Sequence, residues 1–189
     1  WYFDKKEFYL RTSLRRNYYL VSRLLYNLGA ATNVKICSIF SPERNKALNL
    51  VLNKNWLGLA DYNMQGRHKG YFKRDFTPSS KWRRVKVPGK FDSQFADLKN
   101  FDGHFYYRLK FDIPDEIDPQ KDYTLYFGAI DDESFVWVNG EFIGELSAKT
   151  NPQGYWALTR SYQISGKLLR KCDNNITVLC VDRGRGGGI

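Results

Sequence analysis

Cysteine and histidine are scarce in this sequence, and the few present are badly spaced for metal binding. Cys37, Cys172 and Cys180 form no CxxC pair, and only His68 and His104 accompany them, so the spacing offers no zinc set. Cys180 alternates with Ile176 and Val178, which marks it as a buried free thiol. Neither histidine stands in a Ser, Cys or Asp pattern that would mark a catalytic triad. No apolar run approaches the ~20 residues of a membrane span, and no stretch of the given residues reads as a signal peptide. The glycine-rich tail DRGRGGGI lacks the Lys-Ser/Thr ending of a phosphate loop and no helix follows it, so it reads as a turning connection. There is no initiator methionine and the chain stops at Gly-Gly-Gly-Ile, so we expect a piece of a longer protein, whose compartment the missing leader leaves open.

What is abundant is aromatic residue and positive charge. Hydrophobic residues make up 42% and aromatics 16% of 189 residues, enough to bury a core. The formal charge of +10 is uneven: residues 1–110 hold 22 Lys/Arg against 8 Asp/Glu, and residues 111–189 hold 8 against 12. A basic N-terminal half suits nucleic acid, an anionic polysaccharide, an acidic neighbouring domain, or plain solubility. The Lys/Arg residues are scattered and lack a recognition element, which disfavours nucleic acid.

Two periodicities divide the chain. Leu14, Tyr18, Val21, Leu25 and Leu28 fall on one stripe of a helix over about Lys5 to Leu28, which Gly29 ends. We therefore expect a helical extension or the end of a preceding domain over residues 1–46, and a β domain over 47–189. From Ala47 the pattern is short strands: Ala47–Leu52, Trp82–Val87, His104–Ile113, Tyr123–Ile130, Ser134–Val138, Glu141–Leu146, Tyr155–Ile164 and Asn175–Asp182. The clearest signal is Asn139-Gly140 between two apolar runs, which predicts a two-residue β-hairpin with positive φ at both turn positions. Phe135 and Trp137 on one face, and Val136 and Val138 on the other, leave neither face of the first hairpin strand in water. No helical period follows residue 47, so the expected fold class is all-β, an antiparallel jelly-roll sandwich. The long Gly-, Asn- and Lys-rich stretch from Asn53 to Trp82 is expected to wrap a surface or serve a site.

Few residues carry chemistry. Only six glutamates exist, and none has the setting of a buried general acid beside a nucleophile, so we read no catalytic pair. Asp131, Asp132 and Glu133 form an acidic corner that offers oxygens to a structural calcium ion, with a solvated turn as the plainer reading. Trp137, Tyr155 and Trp156 fall on or beside neighbouring strands, where flat rings stack sugars or fill a core. Short β-branched side chains suit the interior between two sheets, so Phe135 and Trp137 are expected on the opposite face, covered by a ligand, the long loop or the helix. Asp182 and Arg183 end the last strand and could supply the polar rim of a cleft with these rings.

Five motifs in order, WRRVKVPGKF, FDGHFYYRLKFDIP, LYFGAIDDESFVWVNGEFIG, NPQGYWALTRSYQIS and NNITVLCVDRGRGGGI, resemble the sugar-binding domain of glycoside hydrolase family 2 enzymes such as β-galactosidases and β-glucuronidases. The likeness spans about residues 56–189. It implies a galactose-binding-like jelly roll attached to a catalytic barrel elsewhere in the parent, in a secreted or periplasmic setting. In some relatives an acidic residue at the end of the last strand reaches that barrel, and Asp182 holds the similar position here. Tyr106-Tyr107-Arg108 replaces the family's usual Trp-Tyr-Arg. The expected role is a non-catalytic carbohydrate-binding domain with Trp137, Tyr155, Trp156, Asp182 and Arg183 at the sugar site and no cofactor. Its partners would be a carbohydrate, which the basic half suits to an anionic polysaccharide, and the neighbouring catalytic domain. A packing module that orients that domain without binding sugar is the alternative.

Overall fold

Strand alternation and turn chemistry account for most of the architecture. The computed structural model describes residues 50–114, 116–184 and 186–189, which form one compact unit. The helix read over Lys5 to Leu28, Cys37, and Ala47–Asn49 of the first expected strand lie outside the described residues, and Leu50–Leu52 are not in a strand. Among the described residues there are eight strands: β1 (Leu57–Asp61), β2 (Arg83–Arg84), β3 (Gly103–Phe111), β4 (Asp122–Ala129), β5 (Glu133–Val138), β6 (Glu141–Leu146), β7 (Thr159–Ser165) and β8 (Asn174–Asp182). Among the described residues the only helix is one turn, α1 (Phe91–Gln94), and a 3₁₀ turn at Ala96–Leu98.

All pairings are antiparallel, in a six-stranded sheet of order β2-β1-β3-β8-β5-β6 and a two-stranded sheet of β4 and β7. Tyr107, Leu109, Val136, Val138, Ile176 and Val178 of the larger sheet share one buried cluster with Leu125, Phe127 and Ile164 of the smaller, so the sheets enclose a core in the manner of a β-sandwich. At the hairpin, Val138 faces Glu141 across a two-residue turn with Asn139 at φ 51° and Gly140 at φ 90°. Asn139 also ties the turn down, donating from Nδ2 to Leu168 O at 2.8 Å and accepting at Oδ1 from Asn175 N at 2.8 Å.

Two sequence expectations need correction. The stretch from Asn53 to Trp82 begins with a strand: β1 pairs with β3 from Leu57 opposite Arg108 to Asp61 opposite His104. Five alternating residues are too few to stand out from their polar flanks, and the neighbouring β3 decides their conformation. Tyr155 and Trp156 do not open a strand. Strand β7 starts at Thr159 because its partner β4 ends opposite it at Ala129, so both rings sit in the preceding turn.

The rest of the long segment wraps the outer face of the large sheet. Tyr71, Phe72, Phe76 and Trp82 pack there against Tyr106, Trp137 and Leu179, forming a second cluster on the side of the sheet away from the main core. Gly66 approaches so closely that a Cβ would fall on the rings of Tyr106 and Tyr71, while its N–H donates to Asp61 Oδ2 at 2.6 Å. Arg108, 1% exposed, holds this cover in place. Its guanidinium donates to the carbonyls of Tyr71 (2.9 Å), Lys73 (2.9 Å), Arg74 (3.2 Å) and Phe76 (3.2 Å) and to Thr177 Oγ1 (2.9 Å). Burial pulls its pKa down to about 10, so it stays charged at neutral pH.

Replacing Arg108 by Met keeps the bulk and removes every donor, leaving loop carbonyls unpaired beneath an aromatic layer. We expect a loss of about 3–5 kcal/mol in urea unfolding and new protease cleavage between residues 65 and 80. Arg74→Ala, which breaks an exposed ion pair with Asp173, is the control and should cost under about 1 kcal/mol.

Candidate functional site

Strand β5 divides its side chains between the two faces of the sheet. Val136 and Val138 enter the main core, whereas Phe135 and Trp137 face outward into the aromatic layer beneath the wrapping loop. Trp137 is 5% exposed, stacked on Phe72 (centroids 5.2 Å, 21° between planes) and flanked by Phe142 at 5.5 Å. It therefore floors the surface, and the accessible ring beside it is Phe142, 52% exposed on β6. The signal for Phe142 lay in the hairpin register, which sets Phe142 opposite Trp137.

One outward row further along, Glu133 and Arg183 form an ion pair at 3.1 Å. Glu133 is buried and Arg183 exposed, and the Glu133 carboxylate also accepts from the Ala148 N–H at 3.3 Å. This brings the 147–158 turn alongside. There Tyr155 and Trp156 meet edge to face at 5.2 Å, with Trp156 48% exposed. His104, on β3 opposite Val181, feels both sets of charges: burial lowers its pKa, Arg67 and Arg183 add to the lowering, and Asp61 and Glu133 oppose it. Trp137, Tyr155, Trp156 and Arg183 thus belong to one side of the molecule, although Trp137 and Trp156 are in separate aromatic groups.

Asp182 is elsewhere. Strand parity turns it inward, and it is buried, with Oδ1 accepting from the Gly184 N–H at 2.9 Å and its other oxygen against Gly187 without a hydrogen-bond partner. Burial raises its pKa, with nearby Asp102, Asp132 and Asp92 adding to the effect. Cys180, next along the inner face, is a buried free thiol that donates to Asp131 O at 2.9 Å, and burial pushes its pKa up.

The acidic corner is held by arginines. Arg160, itself buried, donates to Ser134 Oγ (3.1 Å), to Asp132 O (2.9 Å) and to the carbonyls of Ile130 and Leu158. The carboxylates of Asp132 and Glu133 are taken up by Arg183, the former through its backbone N–H at 2.8 Å. Among the described residues no three His, Cys, Asp or Glu side chains converge as a metal site would require.

Comparisons with known proteins agree with this architecture. No protein family model matches the chain. A β-galactosidase of Staphylococcus xylosus is 42% identical over 60 residues, 32% of this chain and 6% of that one. A β-glucuronidase of Ruminococcus gnavus, solved with uronic isofagomine, matches 70% of this chain and 21% of its own with a TM-score of 0.59 and 24% identity. The same enzyme solved with D-glucuronic acid matches with a TM-score of 0.56. The chain resembles a domain of glycoside hydrolase family 2 enzymes. That bears out the resemblance read from the five motifs. The likeness to the solved structures is one of fold, and the chain spans about a fifth of the β-glucuronidase chains it matches.

The acidic corner yields a pH prediction. Burial, with help from the hydrogen bond and charge of Asp132, raises Asp131 from 3.8 to about 6. Between those values the folded state binds more protons than the unfolded state, so this group's contribution to stability falls as pH rises through that window. Asp131→Asn should therefore gain on the parent chain as pH rises from about 4 to 7 and level off above. After solvent screening the gain is on the order of 1 kcal/mol in urea unfolding. His104, depressed below 6.5, works in the opposite sense, but it is common to both proteins and cancels in the difference.

Proposed function

We propose that this chain is a non-catalytic, carbohydrate-binding domain of a larger glycoside hydrolase, with the strand order of a galactose-binding-like jelly roll. The observation that carries the reading is the match of 70% of the chain to about a fifth of a β-glucuronidase, alongside the five sequence motifs whose order resembles that family. A β-sandwich whose sequence we read as carrying no catalytic carboxylate pair fits an accessory role in a parent whose chemistry is done by another domain. The sugar surface we assign is the outer side of β5 and the 147–158 turn. There Trp156 presents an accessible ring, Tyr155 supports it edge-on, and Arg183, oriented by Glu133, offers donors to hydroxyls. Trp137 contributes as the packed floor. Asp182 faces the interior near the glycine-rich tail, at the position similar to the one where, by the resemblance, some relatives direct an acidic side chain toward the neighbouring domain. The alternative, a module that only orients that domain, is favoured by the buried state of Trp137 and Asp182.

Two measurements test this. The purified chain should hydrolyse no aryl glycoside, and turnover that survives removal of contaminants would overturn the non-catalytic assignment. On a glycan array the chain should retain specific saccharides, and Trp156→Ala should lose about tenfold in affinity while keeping its melting temperature, because nearly half of that side chain is already in solvent. A folded variant with unchanged affinity would remove Trp156 from the site, and binding to no glycan would leave the packing role.

A further inference from the structure

Beside the floor formed by Trp137, the wrapping loop stops short of the sheet edge and leaves an open hollow of about 440 Å³. Its base is Phe135 and Trp137, its walls are Phe72 and Phe142, and its polar groups are Arg67 from the loop and Glu145 from β6. His68 stands on the loop side. The Arg67 guanidinium lies over the Phe135 ring at 4.4 Å from its centre and 5.7 Å from that of Trp137. Stacking of this kind holds the guanidinium flat while its N–H donors point sideways, the geometry that meets a carboxylate or sulfate with two parallel hydrogen bonds. Among the described residues Arg67 has neither an ion pair nor a hydrogen-bond acceptor, whereas neighbouring Arg74 is paired with Asp173. The loop around it is basic, with Arg67, Lys69, Lys73 and Arg74 against Asp75 between residues 65 and 76. Glu145 on the opposite wall accepts from Ser147 Oγ at 3.2 Å, and its second oxygen is left for a hydroxyl donor.

From this arrangement we infer that the hollow is a subsite for an acidic saccharide, one carrying a carboxylate or sulfate, and that Arg67 is the anion-binding residue. The sugar ring lies on exposed Phe142, its anionic group meets Arg67, and its hydroxyls face Glu145 and His68. A flat aromatic wall next to a preset guanidinium suits a ring with one charged substituent better than an extended acidic peptide, which would need a line of cations. The inference rests on the carbohydrate-binding reading above and gives it a ligand class and a location distinct from Trp156.

The test uses the full chain on an array of uronate, sulfated and neutral oligosaccharides with a poly-glutamate peptide alongside. It is followed by titration of the best acidic ligand, in free-acid and methyl-esterified form where the ligand is a uronate. Acidic glycans should bind, weaken as salt rises from about 20 to 200 mM, and lose at least tenfold on esterification. Arg67→Gln should cost the acidic ligand about tenfold or more and the ester little, and Phe142→Ala should weaken both. Both residues are exposed, so unchanged melting temperatures will show that the variants fold. The inference is overturned if neutral glycans alone bind, if Arg67→Gln leaves acidic binding intact, or if the peptide binds in place of the sugars. Binding of neutral glycans with loss in Trp156→Ala would remove only this inference. Failure of every glycan would remove the carbohydrate-binding reading with it.

Discussion

One buried guanidinium holds the outer layer of this protein to its sheet. Arg108 projects from the middle of β3 on the side away from the main core and donates to four carbonyls of the wrapping segment, between Tyr71 and Phe76, and to Thr177 on the next strand. The segment has no ladder of its own, so its backbone carbonyls would be unsatisfied against an aromatic face without such a donor. Five N–H groups in a fixed planar fork can serve several carbonyls at once, and the three donors of a lysine on a flexible stem cannot reproduce that. The charge is tolerated because each N–H of the two terminal nitrogens finds oxygens, although Nε has no partner.

With the segment tied down, the sheet is buried on both faces over most of its width. Tyr71, Phe76, Trp82 and Tyr106 pack edge to face or tilted at 5.0–5.9 Å, and each large ring removed from water there contributes about 1.5–3 kcal/mol. The cover ends near the β5–β6 hairpin, where the turn at Gly140 rests in van der Waals contact with the backbone of Lys73 and Arg74. The margin of a covering layer is where aromatic rings and loop cations meet solvent together. That is why Phe142, Arg67, Glu133 and Arg183 fall on one side of the molecule, and why the candidate binding surface is there and not on the exposed β4–β7 sheet.

The second buried arginine works at the opposite end of β5. Arg160 gathers the carbonyls of Ile130, Asp132 and Leu158 with Ser134 Oγ, fixing the acidic corner from the inside, while Arg183 pairs its guanidinium with Glu133 and donates its backbone N–H to Asp132 from the outside. The corner is thus shaped by hydrogen bonds to arginine, and its carboxylates are oriented toward structure more than toward a free ligand. Asp131 is the exception: burial raises its pKa, and the neighbouring acids Asp132 and Asp182 add to the effect.

Much of the architecture was legible in the residues themselves, because local rules determine it. Alternation over His104–Ile113 and Asn175–Asp182 and the Asn139-Gly140 turn required strands and a hairpin, and period-2 geometry required Val136 and Val138 to part from Phe135 and Trp137. The likeness to family 2 glycoside hydrolases was also legible, as motif order is a property of the chain. Sequence could not choose among the cover candidates for Trp137, since loop, helix and ligand all satisfy an apolar face. Tertiary structure chose the loop, through the side chain of Arg108, whose partners lie more than 30 residues away. It alone moved Tyr155 and Trp156 out of the strand and brought Arg67 over Phe135. Those outcomes depend on where one strand's ladder ends and on which side chains meet across distant segments, and no local pattern carries that information.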